Sequence, residues 1–484
     1  MHRRQLLVVL GATGSIALSG CGALVGEGTE TAAESGSPAQ GTTDSRGSPS
    51  DPGGTRARTT TSSRTATPTA RTEPPTATGR PGTVPTRQTA KLVTEDDTPG
   101  GKFGASVAVS REGTTALVGA PNDASLSGSA SVFGVRDGDW THNAELSDGD
   151  GSLDSFGAAV ALSDDGATAL VGAETDGADN AGSVAVFVRD GYSWVRRTRL
   201  RAAETDAGDR FGSSVALSAD GEVAVVGAPG DEDPNGRNAG AAYVFESGDG
   251  DWHQRAALGA ADGGAGDEFG SAVALSSDGT TVLVGALHDA DPNGRQAGSA
   301  YVFDVADGDW RQTAKLVPGD GDSKDTFGWS VALSGDGATA VVGAPDDEDP
   351  NRDAAGSAYV FDAAGGQWEQ SAKLVPDEGD PDDMFGISVA LSGDGTTALV
   401  GALGDEDPNG HLAGSASVFE RARGAWVQRS KLAADDGADG DQFGSAVDLS
   451  GEGTTAVVGA LYDETRADED AGSEFVSGSA YVFE

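Results

Sequence analysis

The chain of 484 residues carries 77 Asp and Glu against 32 Lys and Arg, a formal net charge of −45. Such a surface excludes nucleic acid and anionic lipid as direct partners, because both repel it. Six of the basic residues are Lys (Lys91, Lys102, Lys315, Lys324, Lys373, Lys431) and the rest are Arg; this Asp-rich, Lys-poor usage resembles that of halophilic archaeal proteins and favours a surface adapted to molar salt over a site for cations or basic ligands.

Residues 1–20 read as an export signal. Arg3 and Arg4 precede a short apolar stretch, which is too short and too Gly-interrupted for a good membrane span. Leu18-Ser19-Gly20-Cys21 resembles a lipobox, with Cys21 as the lipidated residue, and Arg-Arg-Gln-Leu-Leu resembles a twin-arginine export signal. Cys21 is the sole cysteine, so no intrachain disulfide forms. Residues 21–86 are Thr-, Ser- and Pro-rich with almost no apolar periodicity. They cannot bury enough apolar surface to offset ordering entropy and read as a disordered stalk. Ser and Thr with Pro suit O-glycosylation, and no Asn-X-Ser/Thr sequon occurs.

Residues 87–484 are a repeat. Phe-Gly pairs begin at Phe103, Phe156, Phe211, Phe269, Phe327, Phe385 and Phe443. A Gly-Ala pair starts 16 residues after each Phe, at Gly119, Gly172, Gly227, Gly285, Gly343, Gly401 and Gly459. A Gly-x-x-Tyr-Val-Phe-like segment follows, then in six units a Trp (Trp140, Trp194, Trp252, Trp310, Trp368, Trp426) and a stretch ending in Leu. Each unit holds four segments that alternate as strands do. In the first of these, Phe211, Ser213, Val215 and Leu217 share one face and Gly212, Ser214, Ala216 and Ser218 the other. Asp-Gly turns join the segments. Nothing after residue 86 reads as a helix. Units of this length, each a four-stranded antiparallel meander, predict an all-β, seven-bladed propeller.

The seventh unit stops at Tyr481-Val482-Phe483-Glu484 and lacks a fourth strand. The segment "RQTAKLV" at 87–93 is a fourth strand with no blade before it, and recurs as an ordinary fourth strand at 311–317. The expectation is that strand 87–93 completes the last blade and closes the ring, removing free sheet edges. A regular Trp after the third strand reads as packing between blades.

These motifs resemble the FG-GAP repeats of the integrin alpha-chain propeller, and more closely those of FG-GAP surface lipoproteins of bacteria and archaea. The Pro is present at Pro121, Pro229 and Pro345, but the slot holds Leu287, Leu403, Leu461 and Glu174 elsewhere, as a structural slot allows. The resemblance would imply a calcium loop between the first two strands. Here that connection is only a turn, so the family's calcium site is not carried over.

A different acidic motif stands between the second and third strands: Asp231, Asp233, Asn235; Asp289, Asp291, Asn293; Asp347, Asp349, Asn351; and Asp405, Asp407, Asn409. Alternate oxygens before a turn resemble the first half of an EF-hand loop, although Ala242, Ala300, Ala358 and Ala416 stand where its bidentate acid would be. These loops are either solvated acidic turns or weak, partly hydrated calcium sites; no other cofactor is expected. Loops of both faces carry acids at nearly equal density, as salt adaptation would have it. His142, His253, His288 and His411 fall where sibling blades place other residues, and no nucleophile elbow, phosphate loop or zinc spacing occurs. The expectation is a monomeric, non-catalytic recognition or adhesion protein, lipid-anchored on the outer face of the cell membrane. It would meet a protein or glycan of the cell envelope or of a neighbouring cell. A structural envelope component and an extracellular hydrolase or lyase are the alternatives.

Overall fold

In the computed structural model each repeat becomes a four-stranded antiparallel sheet. In the third repeat the strands are Ser214–Leu217, Val223–Ala228, Ala241–Gly248 and Asp251–Leu258, paired in that order. The structure describes residues 84–94, 101–122, 127–149, 154–177, 179–232, 235–248, 250–290, 292–348, 354–463 and 477–484. Within them there are seven such sheets and no helix. Arg3, Arg4, Cys21 and the rest of 1–83 lie outside the described residues.

The last blade is built from both ends of the repeat region. Gln88–Leu92 pairs antiparallel with Ser479–Phe483, which continues through Ala456–Ala460 to Phe443–Leu449. The N–H groups of Thr86 and Arg87 both donate to the Glu484 carbonyl, at 3.2 and 3.0 Å. The expected closing strand therefore does supply the missing fourth strand.

Why Phe-Gly and Gly-Ala recur is explained at the seams between blades. A Cβ built on Gly285 would lie 2.1 Å from the carbonyl oxygen of Gly328 in the next blade. Backbone meets backbone there, so no side chain fits. The same approach returns where blade seven meets blade one, with Gly459 at 2.0 Å from the Gly104 oxygen. The Phe103 N–H also donates to the Ser477 carbonyl, at 2.8 Å across that seam. The ring is thus closed by non-covalent contacts identical to those inside the chain.

Each Phe of Phe-Gly is wedged into a seam. Phe269 is 1% exposed and stacks edge-on against Tyr301 and Phe303 of its own blade, with centroids 5.6 and 5.8 Å apart. It also packs with Val225, Val244 and Leu258 of the preceding blade, where Trp310 covers the outer end. Face assignment along the inner strand follows the alternation: Phe211, Val215 and Leu217 pack toward blade two, and Ala216 toward blade four. The inner strands surround an axial channel, with a hollow of about 170 Å³ walled by their Val, Ala and Leu residues and by Asp448. At one end of it a chain of backbone hydrogen bonds runs from turn to turn, from the Arg111 N–H to Asp164 and onward to Gly451, each 2.9–3.1 Å.

Candidate binding face

The loops between second and third strands and those leading to the next blade share one face of the ring. They are tied together by the Asn of the acidic motif. Asn235, Asn293 and Asn409 donate their side-chain amides to the carbonyls of Ala260, Pro318 and Ala434, at 3.1, 3.2 and 2.8 Å. The Asn is thus used to brace one loop on the other.

The first Asp of the motif turns inward. Asp289 accepts the Tyr301 hydroxyl at 2.6 Å and lies 2.8 Å from the Lys315 ammonium, which also meets Asp262 at 2.7 Å. In blade five Asp347 holds Tyr359 and Lys373, with Asp320 as second carboxylate; in blade seven Asp463 holds Tyr481 and Lys91, with Asp436. Each ammonium also lies 5.0–5.2 Å from the centroid of the Tyr ring. Blade six keeps Lys431 on Asp405 at 2.7 Å, with Ser415 replacing the phenol as donor. In blade three Asp231 accepts from Tyr243, while Ala257 fills the Lys slot. In blade two Arg199 fills it, bonding Asp176 at 2.8 Å.

So four of the six lysines in the chain occupy one slot of the repeat. A compact ammonium with three donors fits between two carboxylates and a Tyr ring; the one Arg in the slot, Arg199, stands opposite Ala185, where no ring is present. Burial works against charge at Asp262, Asp320 and Asp436, but the lysine bonds outweigh it and hold these carboxyls below their ordinary range. Burial, with the adjoining carboxylates, pushes the phenols of Tyr301, Tyr359 and Tyr481 far up. The sequence contained the signal, a Lys in the same slot of four repeats, but the Asp, Tyr and Lys lie on three separate segments and show no local motif.

Asp233, Asp291, Asp349 and Asn351 lie outside the described residues. Asp407 is exposed, and its N–H donates to Asp405 at 2.9 Å. Among the described residues no three His, Cys, Asp or Glu side chains gather in a metal-holding group. In blades four, five and six a lysine ammonium stands beside the first Asp, in the place a second cation would need. Calcium at these loops remains a proposal with a direct test.

A second feature of this face surrounds the channel mouth. The residue before each Phe-Gly is Lys102, Ser155, Arg210, Glu268, Thr326, Met384 or Gln442, and all seven have φ between 54° and 57°. Left-handed backbone is unfavourable for side-chain-bearing residues by about 1–2 kcal/mol each, so glycine would be the easy choice. A chain with 74 Gly uses none there, and places seven different side chains instead. Toward blades two to five this rim is charged: Arg210 lies 3.8 Å from Glu268, Glu268 3.4 Å from His288 Nδ1, and Thr326 donates to Asp346 at 3.0 Å. Glu174, in a former Pro slot, is buried beside Arg210; burial raises its carboxyl and the Arg210 charge lowers it, burial prevailing. Buried apolar side chains also gather near the rim. Ala105, Leu287, Trp329, Ile387, Leu403 and Leu461, with Met384 and Tyr462 against them, form one cluster drawn from blades one and four to seven, which only the axis brings together. Further down, the Asp448 carboxyl accepts the Val109 N–H at 2.7 Å, and burial pushes it up to about 7.

Comparison with known proteins agrees with this architecture. The FG-GAP repeat family matches residues 86–133, 140–187, 194–245, 252–303, 310–361, 368–419 and 426–483. No curated protein matches the chain. Among solved structures, the Kuenenia stuttgartiensis hydrazine synthase is similar, with 16% identity and a TM-score of 0.50 over 76% of this chain and 95% of that one. That likeness is one of fold alone. Seven matched repeats, each running from the fourth strand of one blade through the third strand of the next, establish that the chain belongs to the FG-GAP repeat family.

Proposed function

We propose that the protein is a non-catalytic recognition platform held on the outer face of a salt-adapted cell by lipidated Cys21 and the 21–86 stalk. The observation that supports it is the mouth rim. A scaffold that repeats its core residues seven times carries, at one strained position per blade, seven different side chains. Backbone strain kept at a set of chemically varied positions is the mark of a site shaped for contact. The rim is rigidly based and lies on the face bearing the longer loops, where recognition is usually found.

The test uses the full chain. Cys21→Ser should move the protein from the membrane fraction to the medium. The triple variant Arg210→Ala, Glu268→Ala, His288→Ala should lose binding to intact cells or isolated envelopes, with a melting temperature close to wild type. Wild-type binding in that triple variant, or membrane retention of Cys21→Ser, would count against the reading.

A further inference from the structure

The opposite face, where the first strand turns to the second and the third to the fourth, has a hollow of a different character. In blades three to seven the residue after Val-Phe is an acid: Glu246, Asp304, Asp362, Glu420 and Glu484. In blades three, four and six it partners a residue bulged out of the fourth strand: Arg255 bonds Glu246 at 2.7 Å, Thr313 bonds Asp304 at 2.7 Å, and Arg429 bonds Glu420 at 2.7 Å. Blades one and two lack this acid and have Gly134 and Val188.

Between blades one and two, the missing acid leaves a hollow of about 430 Å³. It is lined by Arg136, Arg189, His142, Asn143, Tyr192 and Trp194, among smaller residues, and by no Asp or Glu. The equivalent hollow between blades two and three has Arg197 facing Asp220 and Glu222. An acid-free, doubly arginine-lined hollow on a chain of net charge −45 is a local reversal of the surface. Neither Arg136 nor Arg189 forms an ion pair with a described residue, although Asp137, Asp139 and Asp190 stand in the adjoining turns. Tyr192 is 97% exposed, an aromatic ring offered to solvent beside the half-buried Trp194.

We propose that this hollow binds an anionic sugar unit of a glycan. Two guanidinium groups suit a carboxylate or sulfate ester, because their planar forks bind such oxygens in pairs. The Tyr192 and Trp194 rings give a flat apolar wall for the sugar's C–H face, with their polar edges left free. Asn143 and His142 supply donors and acceptors for ring hydroxyls. The volume lies in the range of small-ligand sites. In molar salt the Debye length falls to about 3 Å, so the acids elsewhere on the chain do not keep such a ligand away. The proposal names a ligand and a face separate from the mouth rim, and stands whether or not the rim is a site.

The full chain in molar KCl would be titrated calorimetrically with an oligo-uronate, a neutral oligosaccharide of the same length, and sodium sulfate. Saturable binding of the uronate is expected, at least tenfold tighter than the neutral chain or sulfate. Arg136→Ala with Arg189→Ala should weaken it at least tenfold, and Tyr192→Ala at least fivefold. Gly134→Asp restores the acid of the sibling blades; a Cβ there meets only the movable Asn143 amide, at 2.4 Å. It should abolish binding while leaving the melt at or above wild type. No saturable uronate binding, equal affinity for the neutral sugar or for sulfate alone, or unchanged binding in Gly134→Asp would each overturn the proposal.

Discussion

Phe269 shows what one residue does in each blade. It fills the seam between two sheets, so its loss removes apolar contact on both sides and leaves a cavity that rigid sheets do not collapse into. Phe269→Ala should destabilise the ring by about 3–5 kcal/mol, measured by denaturant unfolding; a change under about 1 kcal/mol would show that the ring is not core. Lys315 acts differently. Its ammonium neutralises Asp289, which is 4% exposed, and Asp262. Removing one member of a buried ion pair leaves the other charge uncompensated. Lys315→Ala should therefore cost about 3 kcal/mol, at the lower end of that class because the lysine is partly solvated. Lys315→Met, which keeps the stem and removes only the charge, should recover little of it. Equal stability of Lys315→Met and wild type would mean the stem alone matters.

At the level of elements, the strand Gln88–Leu92 stands apart, being some 390 residues from its partner Ser479–Phe483 and yet a full member of that sheet. Without it the last blade has a bare edge, and the loop leaving blade six loses the bond from the Asp435 N–H to the Gln88 side-chain oxygen at 2.9 Å. Deleting 87–93 should lower the melting temperature of the whole domain in a single cooperative step. A two-step melt, with only a minor early loss, would mean the other six blades stand without closure. The strand's place was legible in the sequence, since its seven letters recur inside the chain and the last unit is one strand short. The Phe, Gly and Trp slots were legible for the same reason: each blade repeats them because each seam repeats the same backbone approach. Tyr301, Asp289 and Lys315 were not legible as a unit, because three segments bring them together only when the sheet pairs Tyr301 with Lys315 across strands. Gly134 was equally silent: a missing acid at one blade means nothing until the neighbouring arginines are seen to share a hollow.

For the whole molecule, buried carboxyls set the pH response. Desolvation, the largest cause in every case, raises Asp325, Asp441 and Asp448 to about 7, and Asp209 and Asp383 to about 6. The unfolded chain releases these protons near pH 4, so between about pH 4 and 7 the folded state binds more protons and loses stability as pH rises. Asp262, Asp320 and Asp436 are held low by lysine, and their contribution is lost as pH falls below about 4. In constant molar KCl the melting temperature should be higher at pH 5 than at pH 8. A flat profile, or a higher value at pH 8, would contradict the burial of these groups.

The loop face can be cation-dependent or built around its own lysines, and the choice decides how recognition works. The lysine account holds that Lys91, Lys315, Lys373 and Lys431 are the resident cations of the acidic loops. The decisive measurement is a thermal melt of the full chain in molar KCl with calcium, with magnesium and with chelator, run on wild type and on Lys315→Ala with Lys373→Ala. The prediction is a wild-type melt that does not move between conditions, and a destabilised variant that calcium partly rescues through the freed pairs Asp289–Asp262 and Asp347–Asp320. A calcium-specific rise in the wild-type melt, abolished by chelator, would contradict it and make the loops metal sites.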